Sequence, residues 1–340
     1  MMTTPTGPWT VLPSTPNVVV DAEIGAIFGA DVNNAICADC RRSASTQVNV
    51  SLGVYICPTC GFYHKHTLHH VIKDLVGTRW TNQDKTHLQA GGGNTAINAK
   101  YEKAIPVSVE RPNEYSAPIL LKHFIESKYS RLDFTASSSS SSTSSPSTES
   151  PATGLPVYYS GFHAGPLEKR NYLDDKWTTR QFVLKGCFLE YGVDENENVT
   201  VERRVDLLTT NVMVSPKCLA KAKRCSFLLT FLEDNDANNG GDAKYRVIYL
   251  AGENGFQIWQ WYNAIRAAKL KAASAKYASH QIPVDLLARH LTHDFLMEGY
   301  LYKTDSREDP QHLQRRWCVI DDRHLNYFAQ VNFKIRRVGF

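Results

Sequence analysis

At 340 residues, with 42% apolar side chains and a net charge of +4, the chain has room for two or three domains and is neither disordered nor fibrous. So small a net charge leaves any attraction to anionic lipid or nucleic acid to local clusters of basic residues. The amino terminus MMTTPTGPWTVLPSTP lacks a basic start followed by an apolar core, and the apolar run Val18–Val32 is broken by Asp21 and Glu23, so neither secretion nor a membrane span is expected.

Residues 1–24 read as a tail, and the first module as 25–135. Its mark is the spacing C-x2-C-x16-C-x2-C formed by Cys37, Cys40, Cys57 and Cys60. In a reducing compartment these thiols do not persist as disulfides, whereas two such turns present four thiolates tetrahedrally to one zinc ion; the alternative is two unrelated buried pairs. Cys187, Cys218, Cys225 and Cys318 lie in or beside apolar runs and read as small core residues.

After the third cysteine the chain runs CPTCGFYHKHTLHH. With four thiolates completing a tetrahedron, His64, His66, His69 and His70 have no second metal to serve; they read as surface or packing residues, the best special role being an outer contact to a zinc thiolate. Further on, DKTHLQAGGGNTAINAKYEKAI and SAPILLKHFIESKYSRLDF carry apolar residues three and four apart, as helices do. The glycines Gly91–Gly93 are followed by no Gly-Lys-Ser/Thr and preceded by no apolar strand, so they form a turn rather than a phosphate loop. The serine-rich stretch 136–154 is a flexible linker and a domain boundary.

Beyond it the sequence repeats. Gly165, Leu167, Lys169, Arg180, Val183, Leu189 and Tyr191 recur as Gly299, Leu301, Lys303, Arg316, Val319, Leu325 and Tyr327. Each copy reads as strand, basic loop, then two strands. The first continues through TVERRVDLL, CSFLLTFLE and KYRVIYLA and ends in a helix whose Ile258, Trp261, Tyr262 and Ile265 share one face able to plug an open sheet. That makes 155–275 a complete domain, 276–296 a connector, and 297–340 a partial sheet of about three strands that is not expected to fold alone.

These residues carry a resemblance. CADC, VSLGVYICPTC, His64, Trp80, Gly93-Asn94 and NAKYEKAIP resemble the zinc module of Arf GTPase-activating proteins, and the G-x-L-x-K openings with the Trp261 helix resemble pleckstrin-homology (PH) domains. Their order is similar to that of the dual-PH Arf GAPs, the centaurin-alpha group. The fold class implied is α+β multidomain: a four-cysteine zinc module packed on helices, a PH sandwich or barrel capped by a carboxy-terminal helix, and a partial second PH domain.

The resemblance implies a cytoplasmic GTPase activator, not itself an enzyme, that is drawn peripherally to the plasma membrane by phosphoinositides or inositol phosphates and acts on an Arf-family GTPase in signalling. The family places an arginine in the pattern C-S-G-x-H-R; here the stretch is CGFYHK, with Lys65 at that position, or His64 in an alternative alignment, and Gln47 replaces a family tryptophan. Lysine supplies charge without a planar fork, so the exchange is not conservative. The alternative reading is therefore a catalytically silent adaptor that keeps the fold and binds lipid or inositol phosphate.

For the headgroup, the resemblance implies Lys169 and Arg180 with Arg170 nearby, and Lys303, Arg307, Arg315 and Arg316 in the second copy; Thr178 and Glu190 stand where strong binders often carry lysine and tyrosine. A solvated basic rim around a protein-binding PH domain is the rival reading. Nucleic acid is not an expected partner, because basic residues do not gather around the cysteines.

Overall fold

The computed structural model describes residues 21–113, 116–135, 155–171, 176–195, 198–214, 225–233, 244–289, 291–292, 295–304, 313–321, 325–328 and 335–338. The serine-rich stretch and Arg307 lie outside them. The chain divides into two compact units, Met1–Lys100 and Tyr101–Phe340.

In the first unit, α1 (Ala22–Gly29) is started by Asp21, whose carboxylate accepts from the Glu23 and Ile24 N–H groups. Three short strands, β1 (Gln47–Asn49), β2 (Val54–Ile56) and β3 (Ile72–Asp74), form an antiparallel sheet in the order β2-β1-β3. Helix α2 (Pro58–His66) begins on Cys57, whose sulfur accepts from the Cys60 N–H, with proline at its first position where no N–H is needed. A Thr81–Asp84 capping box opens α3 (Asn82–Gly91), which is separated from α4 (Gly93–Tyr101) by Gly92 at φ 72°. The turn expected at Gly91–Gly93 is confined to Gly92, with Gly91 ending one helix and Gly93 starting the next, so one periodic segment yields two helices. The apolar core is small: Ile24, Val48, Tyr55, Trp80 and Leu88. Much of the remaining order comes from Asn94, whose side chain accepts from Tyr55 N–H and donates to the carbonyls of Asn33, Ile36 and Tyr55.

The second unit opens with α5 (Pro118–Tyr129). A seven-stranded antiparallel sheet follows, β4 (Ala164–Asn171), β5 (Thr178–Lys185), β6 (Phe188–Glu195), β7 (Asn198–Asp206), β8 (Asn211–Val214), β9 (Ser226–Glu233) and β10 (Lys244–Ala251), in the order β7-β6-β5-β4-β10-β9-β8. Helix α6 (Gly255–Lys276) plugs it with Ile258, Trp261, Tyr262 and Ile265, all buried in one cluster with Phe182, Leu189, Phe227 and Leu250. Ile119, Leu120, Phe124 and Phe134, from the segment that the sequence joins to the cysteine module, are part of that same cluster. The two helical stretches expected downstream of the cysteines are therefore divided between the units.

Two buried clusters of charge in the second unit are paired. Glu102 receives Lys128 at 2.7 Å and both terminal nitrogens of Arg111 at 2.9 and 2.6 Å, which holds its carboxyl below the ordinary range although burial alone would raise it. Arg266 on α6 donates to the Ser108 carbonyl at 2.8 Å, meets Glu110 at 3.0 Å, and bonds Thr292 and the Ala288 carbonyl.

A short helix, α7 (Val284–Ala288), leads to β11 (Phe295–Thr304), β12 (Leu313–Asp321), β13 (Leu325–Phe328) and β14 (Ile335–Val338), an antiparallel sheet in chain order and one strand longer than expected. The sequence repeat is also a repeat of register. Leu167 pairs with Arg180 and Lys169 with Thr178 in the first copy; Leu301 pairs with Arg316 and Lys303 with Gln314 in the second.

Candidate functional site

The cysteine cluster is built by two turns of different origin. Cys37 and Cys40 belong to the turn before β1, while Cys57 and Cys60 belong to the entry of α2. All four side chains are buried, and their sulfurs lie within 4.8 Å of one another, with Cys40 and Cys57 at 3.9 Å. A tetrahedral ion with metal–sulfur bonds of about 2.3 Å has sulfur–sulfur edges of about 3.8 Å, so the donor set fits one such ion. Hydrogen bonds from Cys37 hold the Cys40 and Cys57 thiols below the ordinary range, while bonding to Cys40 pushes Cys37 up and bonding to Cys37 pushes Cys60 up. Four thiolates gathered this closely would require a cation.

Helix α2 sorts its polar residues sharply. His64 is fully buried: its Nε2 lies 2.9 Å from Asp39 Oδ2, inside the first cysteine turn, and its Nδ1 lies 2.8 Å from Asn49 Nδ2. It faces inward. Lys65, one residue on, is exposed in the helix's last turn, where the carbonyl ends favour a cation. His66 and His69 are exposed, and His70 is half-buried, its imidazole pushed below the ordinary range by burial and by His64. Gln47 donates to Asp74 Oδ1 at 2.9 Å across the sheet, and its own Oε1 occupies the place a side chain at Gly61 would need. Glycine at that point in CGFYHK thus belongs with glutamine at 47.

In the second unit Lys169, at the end of β4, donates to Asn171 Oδ1 at 2.9 Å and lies 5.7 Å from the Tyr191 ring. Burial lowers its ammonium pKa, and the charges of Arg246, Arg180 and Arg203 lower it further. Arg180, on β5, is paired with Glu202 at 2.9 Å. Lys169 and Arg180 therefore share one electrostatic neighbourhood. Arg170 does not join it: as the next residue on the strand it faces the other way and stacks on Tyr249 at 4.5 Å and Trp177 at 5.4 Å. Arg203 and Arg246 were not singled out from sequence, since only pairing across the sheet brings β7 and β10 toward Lys169. In the second copy Lys303 donates to the Thr304 carbonyl at 3.2 Å and Arg316 bonds Gln314; the Arg315 side chain is outside the described set.

Residues 23–138 match the ArfGap family, described as "Putative GTPase activating protein for Arf". The human "Arf-GAP with dual PH domain-containing protein 2" is 25% identical over 309 residues, 88% of this chain and 71% of its own. The rat protein of the same name is 24% identical over 306 residues, covering 88% and 72%. A shorter likeness, 30% over 108 residues, links 31% of this chain to 32% of "ADP-ribosylation factor GTPase-activating protein AGD12" from Arabidopsis thaliana. The buried four-cysteine cluster thus lies inside the stretch that matches the ArfGap family. Over 88% of its length the chain is similar to relatives named for an Arf-GAP module with dual PH domains, and its order of cysteine cluster, helix-capped sheet and repeated hairpin parallels that name.

Proposed function

We propose that the protein is a regulator of an Arf-family GTPase, held at membranes by phosphoinositide headgroups, with zinc at Cys37, Cys40, Cys57 and Cys60. The ArfGap match together with the exposed Lys65 on the helix that starts at Cys57 carries this reading. Zinc held by Cys37, Cys40, Cys57 and Cys60 would tie the two cysteine turns together and so fix the direction of α2. The Lys65 ammonium supplies positive charge where negative charge grows on the transferred phosphoryl group. A finger arginine at such a place is worth roughly a thousandfold to a hundred-thousandfold in rate, and lysine offers a point charge in place of the bidentate fork. Lys169 and Arg180, joined by Arg203 and Arg246, meet headgroup phosphates through charge-assisted bonds. Recruitment is peripheral and directed to the plasma membrane; among the described residues no helix is long and apolar enough to cross one.

The Arg-to-Lys exchange also favours a second reading, an adaptor that binds GTPase and lipid without speeding hydrolysis. Single-turnover GTP hydrolysis on lipid-anchored Arf proteins separates the two. Under the regulator reading the wild type stimulates, Lys65→Ala abolishes stimulation, and Lys65→Arg raises it at least tenfold. A silent wild type rescued by Lys65→Arg establishes the adaptor. No change with either variant removes Lys65 from the mechanism.

A further inference from the structure

Asn49 closes β1 and is fully buried. Its Oδ1 accepts the Leu52 N–H at 3.1 Å, which fixes the orientation of the carboxamide and leaves the NH2 group as donor. That NH2 lies 2.8 Å from His64 Nδ1 and 2.9 Å from His70 Nδ1, while the two ring nitrogens are 3.5 Å apart. One amide group has two hydrogens, so each Nδ1 accepts one, and the shared donor is what allows two lone pairs to approach so closely. His64 must then carry its proton on Nε2 and donate it to Asp39, 2.9 Å away, with both side chains wholly buried. A ring protonated on both nitrogens would set an N–H against the Asn49 donor.

We propose that Asn49 is a positioning residue for the metal cluster: by donating to both histidines it fixes the His64 tautomer, which orients Asp39 and with it the Cys37–Cys40 turn relative to α2. The chain of bonds runs from β1 to both pairs of cysteines. Asp39 lies between Cys37 and Cys40, and His64 rides on the helix that begins at Cys57, so one carboxamide sets the two halves of the thiolate tetrahedron against each other. The same amide ties down His70, next to the left-handed His69 at φ 57°. The inference rests on the zinc reading of the four cysteines.

The test is NMR of the imidazole ring nitrogens on the full chain loaded with zinc, followed by zinc transfer to a colorimetric chelator. The wild type is expected to show both His64 and His70 protonated on Nε2. Asn49→Asp, equal in size but without a donor, is expected to draw a proton to Nδ1 of His64 and to weaken zinc retention about 10- to 100-fold; Asn49→Leu, which offers neither donor nor acceptor, is expected to weaken retention without moving the proton. An Nδ1-protonated His64 in the wild type overturns the proposal, and that measurement needs no variant to fold. So does wild-type zinc retention in Asn49→Asp. A wild type that takes up no zinc fails the metal reading itself, which is a different outcome from zinc held equally well by all three proteins.

Discussion

The two units solve the same problem with different means. The second unit has a continuous apolar core that runs from Ile119 and Phe124 through the sheet to Trp261 on α6, and Lys128 and Arg266 are buried against carboxylates. The first unit has five buried apolar side chains in its main core and relies on cross-links: a four-cysteine cluster, the Asn94 hub and the Asn49–histidine relay. With so few side chains in that core, the cysteine cluster and the polar hubs carry a larger share of the first unit's order than their counterparts do in the second. The difference teaches where each unit is vulnerable: the first to loss of a ligand, the second to loss of packing.

Metal removal is the sharpest way to break the comparison. Structural zinc sites contribute on the order of 10 kcal/mol to folding, so a strong chelator or Cys57→Ser should unfold the first unit while the α6 core survives. Hydrogen exchange resolved by segment checks this. Equal loss of protection in both units would show that the second leans on the metal as well. In the other direction Trp261→Ala should cost about 4 kcal/mol in the second unit by leaving a cavity under α6, with zinc retention unchanged; calorimetry paired with the chelator assay reads both.

A smaller effect sharpens the charge side. Glu102 has a folded pKa below its unfolded one, so its contribution is present above about pH 4.5 and is lost as pH falls through the folded value. Glu102→Gln should cost about 3 kcal/mol at neutral pH by leaving Lys128 without its carboxylate, and should flatten the acid limb of the second unit's stability curve. Denaturant titrations at several pH values show it, and an unaltered acid limb would assign that limb to other carboxylates.

How much of this was written plainly in the sequence depends on distance along the chain. The cysteine spacing, the α6 face and the repeated hairpin are local patterns, and the identical registers Leu167–Arg180 and Leu301–Arg316 follow from the positions at which the repeat aligns. The tie between Asn49, His64 and His70 was not legible, because it needs β1 and α2 folded against each other before the amide meets either ring. The histidines read as bland packing residues, and for His64 burial was the right half of that expectation. The division of the helices between units was hidden for a similar reason: an apolar stripe such as Ile119, Leu120 and Phe124 states that a face is buried, not what buries it. Arg170 looked equivalent to Lys169 by adjacency, yet neighbours on a strand face opposite ways and its ring partners, Tyr249 on β10 and Trp177 just before β5, lie elsewhere in the chain.

Arg266 adds a matter of timing. The carbonyl it binds at Ser108 lies 158 residues earlier in the chain, and the helix that carries it is the piece that closes the core over Phe124 and Phe134. On a ribosome moving at about 5–20 residues per second, the segment around α5 waits roughly 10–30 s after synthesis before its cover emerges. During that interval its apolar stripe is nascent chain without a home, so the order of synthesis sets how long that stripe stays uncovered.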